Sequence, residues 1–189
     1  MNIASINTES KLANSIIKSL ATGYKLSTDK DQMKFLHLSV YLLALGLFKE
    51  SNDIARFIAS NCEYDGNENV WNSVGHQQLL CAYFESLNGN TAKCIELTNV
   101  VVKCDILSES LSKSDYLAEK LEEYAQEVEF LLTETPKWRC QGLVYLFIEL
   151  NYCLRFAEAT LYEIPKNVAF QVEPLMTKTL ELLKNELKS

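Results

Sequence analysis

Residues 35–48 read Phe-Leu-His-Leu-Ser-Val-Tyr-Leu-Leu-Ala-Leu-Gly-Leu-Phe, apolar on nearly every side of a helix. A helix at a protein surface shows one apolar stripe and one polar face. The run is also shorter than the roughly 20 residues that cross a bilayer. Such a helix has to be enclosed by other helices, so the chain must build a helical core around it.

At 189 residues the chain suits a single domain spanning 1–189, able to bury about 70% of its unfolded surface. Three prolines and six glycines are few for a sheet-and-turn architecture, and good helix formers abound. The expected class is all-α. A formal net charge of −7 argues against nucleic acid, whose phosphates ask for a basic surface, and against anionic membranes. An acidic chain suits a basic protein partner instead. The opening residues carry neither the basic nor the apolar stretch of a signal peptide, and the expected location is the cytoplasm. Six cysteines (Cys62, Cys81, Cys94, Cys104, Cys140, Cys153) include no C-x-x-C pair, and several fall in apolar helical patterns. They read as reduced core thiols.

Periodicity lays out about eight antiparallel helices in hairpins around two buried ones, 29–48 and 137–162. Thr8 reads as the cap of a first helix reaching Thr22, with Gly23 behind it. Thr28 reads as the cap of the central helix, with Asp29 and Asp31 in its first turn. That helix is expected to run through Phe48 and break at Lys49-Glu50-Ser51-Asn52, with a shorter helix over 53–61. Residues 64–69 form a loop rich in Asp, Gly and Asn. Helices are predicted over 70–87, closed by Asn88-Gly89-Asn90, then from Asn90 or Thr91 to about Cys104, and over 115–133. Pro136 fits the first position of the second buried helix. Pro165 is expected to end that helix, and Pro174 to begin the last one.

Two hairpins, 47–57 and 86–96, look alike. Gly89 and Cys94 in the second correspond to Glu50 and Ala55 in the first, 39 positions earlier. Here the chain resembles tetratricopeptide repeats, which place a small residue, often Gly, at the inter-helix turn and Ala five residues later. Only Ala55 and Gly89 match those consensus residues, and the family repeat is about 34 residues long. The resemblance implies a scaffold holding a peptide segment in a helical groove. A local reading stands beside it, because any antiparallel helix pair favours a small residue at its crossing.

His37 lies in the central run and reads as a core histidine bonded to a backbone carbonyl. His76 has no His or Glu four residues on, so the metal signature is missing. No phosphate-binding loop or nucleophile motif is present. No catalytic residue, cofactor or metal is therefore assigned, and an enzyme is not expected. On the second buried helix, Asn151, Arg155, Glu158 and Tyr162 recur at four-three-four spacing. This stripe either lines a pocket or is the part of the helix that reaches solvent, with Arg155 and Glu158 paired. It forms a second candidate surface.

Charge is concentrated elsewhere. From Glu109 to Glu134 eight acidic residues stand against two lysines, a net of −6 out of the chain's −7. Asp115, Glu119, Glu122 and Glu129 fall opposite a seam of Leu117, Leu121 and Val128. A solvated face is the plain reading; a docking surface built on Asp115, Glu119, Glu122, Glu123 and Glu129 is the functional one. In profile, though in no diagnostic residue, the chain is similar to bacterial immunity proteins. That resemblance implies direct binding and neutralisation of a cognate basic toxin, with carboxylates standing in for a nuclease's substrate phosphates. The alternative is a tetratricopeptide-like adaptor for a peptide segment. The oligomeric state is left open.

Overall fold

The computed structural model describes residues 2–62, 73–102, 114–161 and 166–189, with side chains for 2–62, 73–101, 123–155 and 171–189. After a 3₁₀ turn, Ile3–Ser5, come α1 (Lys11–Ala21), α2 (Asp29–Ala44), α3 (Phe48–Asn61), α4 (Ser73–Leu87), α5 (Thr91–Val102), α6 (Ser114–Leu131), α7 (Pro136–Leu161) and α8 (Lys166–Lys188). The fold is all-α, with no strand among the described residues. The expected loop at 64–69 and the stop at Pro165 lie outside the described residues.

The first helix starts two residues later than expected. Ser10, fully buried, is its cap and accepts the Ala13 N–H. Thr8 instead accepts the Ser10 N–H and locks onto Asn14, whose side-chain amide donates to the Thr8 carbonyl. Thr28 does precede α2, but its hydroxyl donates back to the Lys25 carbonyl and caps nothing. Thr28 remains the N-cap residue by its backbone, and Asp31 in the first turn accepts from Lys34 Nζ and the Lys25 N–H, both at 2.9 Å. These bonds, the one from Lys34 foremost, hold its carboxyl below the usual carboxylate range.

The central helix also ends earlier, at Ala44 rather than Phe48. Gly46 takes φ +82°, and the N–H groups of Gly46 and Leu47 turn back to the carbonyls of Leu43 and Leu42. This left-handed cap satisfies the last carbonyls and ends the helix inside an apolar run. The residues expected to form the break belong to α3. Ser51 is fully buried there, its hydroxyl donating to the Ser39 carbonyl at 2.7 Å. Leu42 is wholly enclosed, whereas Leu45 at the new terminus is only half-buried.

The α4–α5 turn repeats this geometry. Gly89 has φ +74°, and Gly89 and Asn90 donate to Ser86 and Glu85. The matching turns therefore lie at Gly46 and Gly89, 43 positions apart, and not at Glu50 and Gly89. Five residues beyond each glycine stands a small, fully buried side chain, Ser51 and Cys94. Nearby, Arg56 of α3 and Asn90 of the turn both bond the buried Glu85 carboxylate. The two donors, Asn90 first, hold it below the usual range.

α3 packs against α2 and α4, and α7 against α4 and α5. α8 lies along α7 and returns to α1 and α2. Both helices expected to be buried are enclosed, and α4 joins them with eleven buried residues out of fifteen. One apolar cluster runs from Ile3 to Leu187. His37 sits between Tyr41 and Tyr145, with ring centroids 6.1 and 5.8 Å away. Among the described residues its Nε2 meets no hydrogen-bond partner.

Pro174 does not begin the last helix but lies inside α8. Its ring is exposed, while Val172 and Met176 on either side are buried. Burial of the seam Val172, Met176, Thr179, Leu183 and Leu187 keeps the chain helical past a residue that donates no backbone hydrogen bond.

Candidate interaction surface

α6 lies at the edge of the bundle against α7 and α8. Its described core side is narrow: Val128 and Leu131 are buried and Tyr124 is half-buried. Burial pushes the Tyr124 hydroxyl above its usual range, and its oxygen lies 4.0 Å from Cys153 Sγ on α7. Gly142 of α7 lets this side approach, because a Cβ there would come within 2.2 Å of Leu131 Cδ2.

Opposite that seam Glu129 is exposed, as the helical spacing predicts, and Glu123 of the docking surface is exposed as well. Glu129 lies 3.7 Å from Lys178 of α8, both side chains being well solvated. Glu127 is half-buried, and burial raises its carboxyl above the usual range. Asp115, Glu119 and Glu122 belong to α6 by their backbone, and their side chains lie outside the described residues.

The second surface is corrected. Asn151 and Arg155 are 2% and 3% exposed, so they form part of the interior. Asn151 donates to the Leu79 carbonyl of α4 at 3.1 Å. Arg155 brings Nη1 to 3.3 Å from Cys94 Sγ on α5. These side chains tie α7 to the α4–α5 hairpin, where buried polar groups need partners. Helical spacing showed that they share a face but not that two other helices cover it. The Glu158 side chain lies outside the described residues.

Sequence reasoning passed over Phe130, Leu132 and Trp138. Phe130 stands on the acidic side of α6, 62% exposed, and Trp138 in the first turn of α7 is 61% exposed. The available signal was register: Phe130 is out of phase with the Tyr124–Val128–Leu131 seam. A mixed-charge cleft of about 640 Å³ also opens between the N-terminal residues and the start of α3. Both its cations are engaged, Lys49 with Asp53 at 2.7 Å and Arg56 with Glu85.

Among the described residues no helix is long and apolar enough to cross a membrane. No protein-family model, curated protein or solved structure matches the chain.

Proposed function

We propose that this protein is an interaction domain whose acidic helix α6 docks a basic protein partner, in the manner of an immunity protein that neutralises a cognate toxin. One observation carries the reading: most of the molecule's net negative charge is gathered in and around one peripheral helix, whose Glu123 and Glu129 are exposed. A carboxylate face of this kind speeds encounter with a basic surface by long-range attraction. If the partner is a nuclease, the same carboxylates occupy the place of substrate phosphates and block access. A tetratricopeptide-like adaptor is the second reading, favoured by the matching turns at Gly46 and Gly89.

The test captures the partner from the native host with the tagged chain, then follows association of the purified pair. The expected partner is basic. Its association rate should fall steeply as the Debye length shrinks from about 10 Å at 0.1 M salt to about 3 Å at 1 M. Reversing Glu119, Glu123 and Glu129 to Lys should weaken binding while the fold persists. Glu173 and Glu181, exposed on α8, are the control reversals; Glu186 is unsuitable because it bonds Arg139. Unchanged affinity in the triple reversal, or a rate indifferent to salt, would refute the reading.

A further inference from the structure

Three described hairpin tips expose large apolar side chains, but unequally. The α2–α3 tip exposes Phe48 and the α4–α5 tip Leu87, one each. The α6–α7 tip exposes Phe130, Leu132 and Trp138 within nine positions. Single exposed apolar residues are ordinary on a surface, whereas three large ones gathered on one tip single it out as an interaction candidate.

This tip is also held rigid. Thr133 Oγ1 donates to the Phe130 carbonyl at 2.7 Å, and Arg139 donates to the carbonyls of Leu131 and Glu134 at 3.2 and 2.8 Å. Arg139 further bonds Glu186 of α8, which braces the tip against the bundle. Apolar groups on a pre-ordered turn lose little conformational freedom on docking. On the same hairpin Glu123 and Glu129 are exposed and Glu127 and Glu134 half-buried, with Lys137 the one exposed cation of the described α6–α7 tip. Aromatic anchors beside a predominantly acidic set of side chains fit the layout of an interface centre and its rim.

We infer that the α6–α7 tip is the anchoring point for the partner, and that its occupant is a lysine- or arginine-rich helical segment of another protein with an apolar stripe seated on Phe130, Leu132 and Trp138. This rests on the acidic-face reading and adds the chemistry of the docking segment. The apolar stripe meets the tip while the flanking cations meet the carboxylates. A lipid surface would satisfy the apolar side chains alone, and the carboxylates oppose an anionic one.

Trp138 reports on its own site, because a solvated indole shifts its emission to the blue when covered. In a Trp71→Phe background, the full chain is titrated with three synthetic peptides of about five helical turns. One combines lysines with a leucine stripe, one replaces the leucines by serine, and one replaces the lysines by glutamate. Phosphatidylcholine vesicles form a fourth arm. The inference expects a saturable blue shift with the lysine–leucine peptide, weakened about tenfold or more by Phe130→Ser or by loss of the leucines. The glutamate peptide and the vesicles should produce no shift. Loss of binding on charge reversal but not on Phe130→Ser would overturn this inference and leave the acidic-face reading standing. Loss on Phe130→Ser but not on charge reversal would overturn both. No shift with the lysine–leucine peptide, or a shift with vesicles alone, would also overturn the inference.

Discussion

His37 shows how one buried side chain couples the fold to pH. Burial lowers its pKa from the ordinary 6.5, and its Nε2 has no partner to stabilise a proton. As pH falls, the unfolded chain therefore takes up this proton before the folded one does. Across that window the unfolded state binds more protons, so the His37 contribution to stability is whole above about 6.5 and is lost as pH drops toward the folded pKa. Urea midpoints at about pH 7.5 and about pH 5.5 check this. The wild type should lose stability between them, and His37→Gln should lose less. An equal loss would show that the imidazole between Tyr41 and Tyr145 is not responsible.

Among the helices, α2 and α8 each contain a residue that conflicts with simple periodicity, and they resolve it oppositely. Gly46 stops α2 because its left-handed φ lets two N–H groups cap the helix. Pro174 does not stop α8, since the buried seam on both sides of it holds the helix together. Substitution should therefore act in opposite directions. Gly46→Ala places a Cβ at φ +82° and should cost about 1–2 kcal/mol. Pro174→Ala restores a backbone donor and should stabilise by up to about 3 kcal/mol. Thermal unfolding of both variants decides the matter. A lower midpoint for Pro174→Ala would mean that packing against α7 depends on a bend at the proline.

At the scale of the molecule, the apolar cluster joins residues from both ends of the chain, and α8 returns to α1 and α2. Four of the five described cysteines are buried, and none of the five is in a disulfide. Burial pushes the Cys81 and Cys140 thiols up to about 11, which leaves little thiolate at neutral pH. A reducing agent should then leave the thermal midpoint unchanged. A fall of several degrees on reduction would reveal a structural disulfide, and Cys104, outside the described residues, would be the first cysteine to examine.

What the sequence determined by itself was local. Helical spacing identified the eight described α-helices and the turn at Gly89, and it put Glu129 on the solvent side of α6, because these follow from which residues recur every three to four positions. Only the tertiary structure decided that Gly46 ends α2, that α8 passes through Pro174, that Asn151 and Arg155 are interior, and that the α6–α7 tip exposes Phe130 and Trp138. The physical reason is common to all four. Periodicity defines the faces of a helix, but whether a face is wet or dry, and whether a glycine or proline breaks the chain, depends on the neighbouring helix that packs there. That neighbour comes from a distant part of the sequence, as when α7 covers Cys94 with Arg155, 61 residues away.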